Sequence, residues 1–235
     1  MQSCCRSQSA DAAADHDHRS IGHDHRLPDG SLRGGTGIRI SRIARLLTNS
    51  VQTAGSRMYV VWVLILVRHA MPAHGPDTPA RDWALAPEGQ VAARSLCGRL
   101  PTGARLVASS EPKAIASLGP AGNVVQDPRF DEISRAEVYG ETFREQRRAY
   151  VDGADHIGWE ARDDVIRRFE AGVVEHIAAA DGRPVVIASH GMAMTLWLTA
   201  AVGLDDPGAF WADLRFPDAH VVDIVAGKVV RFLRP

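Results

Sequence analysis

The chain has 235 residues, a formal net charge of -1 at pH 7 and enough hydrophobic residues for a core. Because there is no basic surplus, the composition argues against nucleic acid and against an anionic membrane surface as partners. The three cysteines are too few for a disulfide scaffold, which favours a reducing, cytoplasmic setting. We therefore expect one domain with a tail.

Residues 1–57 are predicted to form a mostly disordered N-terminal extension, because they lack a sustained hydrophobic period and are rich in polar residues and Gly. The extension contains four histidines, His16, His18, His23 and His25. They could bind zinc or nickel, but no folded scaffold orients them, so we predict no functional metal site. No signal-peptide pattern is found near the terminus, and translation starting at Met58 is one hypothesis. The folded domain is placed at 58–235.

The first predicted strand covers residues 58–67, ten uncharged residues rich in Val and Ile. Such a run is typical of a central strand in a parallel sheet covered on both faces, and it is too short to cross a bilayer. It ends in Arg68 and His69. Taken alone, the pair also fits an ordinary strand end followed by a polar loop. Ligands of open α/β sheets bind beyond the carboxyl ends of strands, so the pair is a candidate active site.

The next segment contains a Pro-rich loop at 71–82, and a helix is predicted to begin at Pro87. A second strand is predicted at 105–109. A polar turn follows it and leads into a helix whose first turn contains Pro112 and Lys113. A second strand thus ends in polar groups, one of them a cation.

The middle of the chain is predicted to contain a short strand at 123–126 and then an acidic loop at 127–132. Residues 133–160 have no clear period, and they predict an irregular helical insertion that borders a pocket. Apolar residues at helical spacing then predict a helix over 160–180. The insertion is also compatible with a solvated surface excursion.

A fourth strand is predicted at 184–188, and it ends in Ser189, His190 and Gly191 before an apolar helix at 192–202. The glycine permits close backbone approach, and the helix start offers free N–H groups to an anion. A closing hairpin is predicted at 220–225 and 228–233. The alternation of strands and helices predicts an α/β fold.

The ordered set of motifs resembles the histidine phosphatase superfamily, which includes the phosphoglycerate mutase-like enzymes. These motifs are Arg-His after the first strand, a polar turn with a cation, an acidic loop, and Ser-His-Gly near the end. The resemblance covers about residues 60–235. It implies a three-layer α/β/α sandwich with a mostly parallel central sheet. It also implies a phosphatase that needs no metal or other cofactor and acts on a small-molecule phosphate ester.

The resemblance also implies roles for particular residues. His69 corresponds to the nucleophile that becomes a covalent phosphohistidine, and Arg68 to a group that holds phosphate oxygens. His190 would stabilise the transferring group, and Glu132 would protonate the leaving oxygen, with Asp131 and Glu137 as substitutes. The further candidate pocket residues are His74, Arg81, Trp83, Ser109 and Gly191.

Two positions depart from the family pattern. Lys113 stands where the family has a second phosphate-binding arginine, so it keeps the charge and loses bidentate geometry. Ala70 replaces the usual glycine after the histidine. A phospholigand-binding protein with weak or lost turnover therefore stays open as an alternative, as does a mutase-type phosphotransferase. The substrate could be a sugar phosphate, a nucleotide, a phosphoprotein, phosphohistidine included, or a carboxylated metabolite.

Overall fold

The computed structural model describes residues 63–136 and 142–232. The extension predicted at 1–57 lies outside the described residues, as do the start of the predicted first strand at 58–62 and the substitute acid Glu137. Disorder of the extension and a domain boundary before Met58 therefore stay predictions.

Within residues 63–136 and 142–232, six strands form one mixed sheet. They are β1 (Leu64–Arg68), β2 (Arg105–Ala108), β3 (Val125–Gln126), β4 (Val185–Ser189), β5 (Asp218–Asp223) and β6 (Lys228–Arg231). The order across the sheet is β3-β2-β4-β1-β5-β6. The first four strands of that order are parallel, whereas β5 is antiparallel to both β1 and β6. The predicted closing hairpin is β5 and β6, and β5 begins at Asp218, earlier than predicted.

Six α-helices accompany the sheet in the described part of the chain. They are α1 (Pro87–Cys97), α2 (Pro112–Leu118), α3 (Phe143–Val151), α4 (Arg162–Ala178), α5 (Gly191–Val202) and α6 (Pro207–Asp213). Pro87 and Pro112 lie in the first turns of α1 and α2, where a missing N–H costs nothing. Our sequence analysis did not predict α6, although Asp206 caps it by accepting a hydrogen bond from the N–H of Ala209.

Helices cover both faces of the sheet and make three layers. On one face, Leu64 and Leu66 of β1 belong to a buried cluster with α4 and α5, which includes Phe169 and Trp197. On the other face, β1 packs through Ile65 and Val67 into a cluster with α1 and α2. The predicted α/β/α sandwich is thus confirmed. None of the described helices is both long and apolar enough to span a membrane.

Two strand ends meet at the centre of the sheet. β1 and β4 are parallel neighbours, with Arg68 opposite Ser189. The backbone N–H of His69 continues this ladder by donating to the carbonyl oxygen of Ser189 at 3.0 Å. His69 and His190 therefore leave the sheet side by side, because the carboxyl ends of parallel strands lie at the same edge.

Candidate active site

A cavity of about 730 Å³ opens at this edge of the sheet. It is lined by Arg68 at the end of β1 and His69 directly after it, by Lys113 after β2, and by His190 after β4. Carboxylates from the loop after β3 and side chains from the insertion and from residues before α1 complete its wall. The motifs that sequence analysis singled out at separate strand ends thus share one cavity.

His69 is almost fully buried, and its ring is held by a hydrogen bond to its own neighbour. Nδ1 lies 2.8 Å from the carbonyl oxygen of Ala70, which can only accept, so Nδ1 must carry the proton. Nε2 is then the nitrogen with the lone pair. Burial, reinforced by the positive charges of Lys113 and Arg68, lowers the pKa of His69 to about 3. His69 is therefore neutral at physiological pH.

His190 lies beside His69, with 5.2 Å between the ring centroids. Its Nε2 is 2.8 Å from the hydroxyl oxygen of Ser109, which also accepts a hydrogen bond from the N–H of Glu111. Nδ1 is buried and has no hydrogen-bond partner among the described residues. Burial and the neighbouring His69 place the pKa of His190 well below its ordinary value, so this ring is neutral too.

The guanidinium of Arg68 is fixed from two sides. One terminal nitrogen donates to the carbonyl oxygen of Leu214 at 2.7 Å, and the carbon at the centre of the group lies 3.6 Å from the ring centroid of Phe216. Nε is buried without a hydrogen-bond partner in the described structure. Burial lowers the pKa of Arg68 to about 10, so the group stays charged at neutral pH.

Lys113 is buried and already paired. Its ammonium group donates to the carbonyl oxygen of Ala80 at 2.7 Å and contacts the carboxylate of Glu111, which is also buried. The other carboxylate oxygen of Glu111 accepts a hydrogen bond from the backbone N–H of Glu132 at 2.9 Å. Burial raises the pKa of Glu111, and the charge of Lys113 opposes that rise.

Glu132 faces the start of α5. One carboxylate oxygen accepts hydrogen bonds from the N–H groups of Ile133 and Ala193, both at 3.1 Å. The other oxygen is 3.4 Å from the N–H of Met192. The first turn of α5 thus holds this carboxylate at the wall of the cavity. The N–H groups of a first helical turn have no partner within the helix, and Glu132 supplies one.

The profile of the Histidine phosphatase superfamily (branch 1) matches residues 64–228, which is more than half of the chain. The chain belongs to the histidine phosphatase superfamily. The match covers all six strands apart from the last residues of β6. No curated protein matched the chain.

Solved structures with the same fold include three from different organisms. A mycobacterial glucosyl-3-phosphoglycerate phosphatase is 21% identical, with a TM-score of 0.56 over 74% of this chain and 99% of its own. Bacillus stearothermophilus YhfR is 19% identical, with a TM-score of 0.56 over 74% and 96%. A phosphoserine phosphatase from Entamoeba histolytica is 11% identical, with a TM-score of 0.53 over 74% and 96%. At these identities the comparison establishes the fold.

The candidate pocket residues of this histidine phosphatase superfamily member fall into two groups. Arg81, Trp83 and Gly191 line the cavity. Ser109 is fully buried and does not line the cavity, but its hydroxyl group is hydrogen bonded to His190. His74 does not line the cavity either. A Cβ at Gly191 would lie 3.4 Å from Nε of Arg68 and 3.1 Å from the indole nitrogen of Trp211, so glycine permits this packing.

Several lining residues were missed by sequence analysis. The missed residues that matter most are Glu111, Phe216, Arg135, Glu160 and Arg168. Arg168 donates to both oxygens of Glu160, and it also donates to backbone carbonyls of the loop that contains Glu132. The predicted insertion does border the pocket, since α3 contributes Arg147. Within the described residues, no group of three or more His, Cys, Asp or Glu is arranged to hold a metal ion.

Proposed function

We propose that this protein is a metal-independent phosphatase that hydrolyses a phosphomonoester through a covalent phosphohistidine on His69. The observation that carries the proposal is the state of His69: a buried, neutral imidazole with Nδ1 hydrogen bonded to the oxygen of Ala70 and Nε2 left as the nucleophile. A histidine that is neutral at the working pH attacks phosphorus without first losing a proton.

The groups around Nε2 suit a phosphoryl group. Arg68 and Lys113 supply positive charge. Arg68 and His190 line the same cavity, and Nε of the first and Nδ1 of the second are buried without a hydrogen-bond partner in the described structure. A buried donor without a partner costs on the order of 1–3 kcal/mol. In our proposal, His190 carries its proton on Nδ1 and accepts from the hydroxyl group of Ser109 at Nε2. Phosphoryl oxygens then accept from Nδ1 of His190 and Nε of Arg68, so substrate binding removes a cost that the free enzyme carries. These contacts grow stronger as negative charge develops on the phosphoryl oxygens.

Two steps complete the reaction. Nε2 of His69 attacks phosphorus, the ester P–O bond breaks, and the leaving oxygen takes a proton from the carboxyl group of Glu132. Water then attacks the phosphohistidine, the N–P bond breaks, and Glu132 takes a proton from that water, which releases inorganic phosphate. Both steps place negative charge on the phosphoryl oxygens, where Arg68 and His190 act, so the chemistry requires no metal ion.

We infer that the substrate is a small phosphate monoester. Two structural neighbours are named as phosphatases of glucosyl-3-phosphoglycerate and of phosphoserine, and both names denote small organic phosphates. The cavity volume of about 730 Å³ fits a ligand of that size. We also propose a cytoplasmic setting, as the low cysteine content predicts.

A phospholigand-binding protein with little turnover is the second candidate, and one observation favours it. The ammonium group of Lys113 is already occupied by Glu111 and by the carbonyl oxygen of Ala80. A cation that is partly neutralised in this way stabilises a transition state less. Substrate binding without turnover, at every pH from 5 to 8, would support this candidate.

Hydrolysis of a generic aryl phosphate by the full chain tests the proposal. We expect turnover that survives a chelator and that His69→Ala removes, while His74→Ala keeps wild-type activity, because His74 does not line the cavity. Loss of activity on chelation would contradict a metal-independent reaction. Full activity of His69→Ala would exclude His69 as the nucleophile.

A further inference from the structure

Glu111 is a carboxylate in a place where a phosphatase would be expected to avoid one. It is 7% exposed and lines the same cavity as His69 and Arg68. In the sequence it lies in a polar turn and looks like a solvated residue. Burying a carboxylate is costly unless it is paired, so its contacts must compensate.

The contacts of Glu111 connect three groups of the site. One oxygen pairs with the ammonium group of Lys113. The other accepts a hydrogen bond from the N–H of Glu132 and lies 3.5 Å from Nε2 of His190. Its own N–H donates to Ser109, the partner of His190. Glu111 therefore neutralises Lys113 in the free protein. It also contacts the backbone of Glu132 and the serine hydroxyl group that is hydrogen bonded to His190.

A phosphoryl group that used Lys113 would come close to this carboxylate. Two hydrogen bonds of about 2.8 Å at one ammonium nitrogen place the two accepting oxygens about 4.5 Å apart. A phosphate dianion and an ionised Glu111 would then repel each other at low local dielectric constant. The single positive charge of Lys113 does not balance the three negative charges of a phosphate dianion and an ionised Glu111.

We propose that Glu111 is an internal counter-anion of the phosphate site and takes up one proton from solvent when a phosphoryl group binds beside Lys113. The carboxylate becomes a neutral carboxyl group, and the ammonium group of Lys113, which keeps its charge, forms its ion pair with the phosphoryl oxygen. The inference rests on the proposed function, because it requires that phosphate binds in this cavity.

The groups that face Glu111 favour this assignment. Lys113 faces it from α2, Glu132 from the loop after β3, and His190 from the end of β4. His69 lies at the end of β1, next to His190. Burial lowers the pKa of His69 to about 3 and the pKa of His190 well below its ordinary value, so both rings are neutral before phosphate binds. Burial already raises the pKa of Glu111, and a nearby dianion raises it further.

Proton uptake gives a defined pH dependence. Binding that takes up one proton weakens as pH rises, by up to about tenfold in affinity per pH unit. Replacing Glu111 by Gln removes the proton acceptor and the negative charge while keeping an oxygen that can accept from the N–H of Glu132. The variant should bind phosphate more tightly than wild type at pH 8, by about tenfold or more, and the two should converge toward pH 5.5.

Titration calorimetry of the full chain with inorganic phosphate measures the proton count directly, through the dependence of the heat on the ionisation enthalpy of the buffer. We expect wild type to take up more protons than Glu111→Gln, by as much as one. Subtracting the two proteins cancels the protonation of phosphate itself. Asp82→Asn is the matched control, since it removes a carboxylate from the same cavity at a side chain that is 56% exposed, and it should match wild type.

A second measurement uses wild type alone and so does not depend on the folding of a variant. Addition of phosphate should produce the infrared band of a protonated carboxylic acid. The inference is overturned if that band is missing, or if Glu111→Gln and wild type take up equal numbers of protons while both bind phosphate. Wild type that binds no phosphate would overturn the proposed function and the inference together. Phosphate binding with equal proton uptake in both proteins would overturn the inference alone, so the two failures can be told apart.

Discussion

Phe216 is predicted to control the position of the Arg68 cation and the protonation state of His69, and its replacement by Ala should reveal two separate effects. The ring lies 3.6 Å from the guanidinium carbon of Arg68 and 5.2 Å, between centroids, from the ring of His69. We therefore infer that the ring orients the cation and also keeps water from His69. Removing the ring should disturb both.

The magnitude of the first effect follows from the cation–π contact. A desolvated contact of this kind contributes about 2 kcal/mol. If Arg68 needs that orientation in the transition state, Phe216→Ala loses about 30-fold in kcat/KM at pH 8, since each 1.36 kcal/mol is about tenfold. At that pH His69 is neutral in both proteins, so the loss at pH 8 reports the position of Arg68.

The second effect depends on pH. Burial is the main reason that the pKa of His69 is lowered from 6.5 to about 3, so admitting water raises it. With a pKa near 3, about 99% of His69 is neutral at pH 5, whereas at 6.5 only about 3% would be. Wild type should lose no kcat/KM as pH falls from 8 to 5, and the proton uptake inferred for Glu111 would raise it. The variant should lose up to about 30-fold more over that range.

The assay is kcat/KM for an aryl phosphate between pH 4 and 8, with thermal unfolding to confirm that each variant is folded. Phe216→Leu is the matched control, because it removes the aromatic face but keeps apolar cover. It should show the loss at pH 8 without the new acidic limb. Phe216→Ala within threefold of wild type at every pH would refute this role of the ring.

Three further predictions concern other residues. Lys113→Met should lower kcat/KM by about 10²–10³-fold, because the charge at this position acts on the transition state. Lys113→Arg keeps the charge and should lose less kcat/KM than Lys113→Met. Equal loss in the two variants would contradict a role of charge. Gly172→Ala should destabilise the fold by about 1–3 kcal/mol in urea unfolding, since the new Cβ would lie 2.6 Å from the ring of Phe130; an unchanged midpoint would show that the ring has room to move. Asp127→Asn should cost about 1–3 kcal/mol at pH 7, because the Asp127 carboxylate accepts hydrogen bonds from Arg129 and His176. Burial by itself would raise the pKa of Asp127, but these hydrogen bonds outweigh it and hold the pKa at about 2 against the ordinary 3.8. That contribution is complete above pH 3.8 and is lost as pH falls toward 2, so the stabilities of variant and wild type should converge there.

The parallel sheet explains why so much of the site followed from sequence. His69 and His190 are more than a hundred residues apart, yet each follows directly on an apolar strand. Residues at the carboxyl ends of adjacent parallel strands must lie together, and β1 and β4 are adjacent. His69, His190 and Lys113 could therefore be expected at one edge of the sheet, where the resemblance also assigns them to one site.

Glu111 and Phe216 could not be found in this way, because their roles depend on burial and on tertiary contacts. Glu111 lies in a polar turn, and only the packing of Lys113 against it makes it a buried ion pair. Phe216 reaches Arg68 from a loop that precedes β5, and no sequence period links the two. The helix α6 had a readable signal, Asp206 followed by Pro207, but its seven residues are too short for a clear apolar period.

Trapping the phosphoryl group on the protein tests the central claim most directly. Wild type is mixed with a phosphorylated substrate and quenched in base, where a phosphohistidine survives, and the site of modification is identified by mass spectrometry. We predict phosphate on Nε2 of His69, formed as fast as the first turnover and missing in His69→Gln. Turnover without a modified His69, or phosphate on another residue with kinetics that match turnover, would contradict the account.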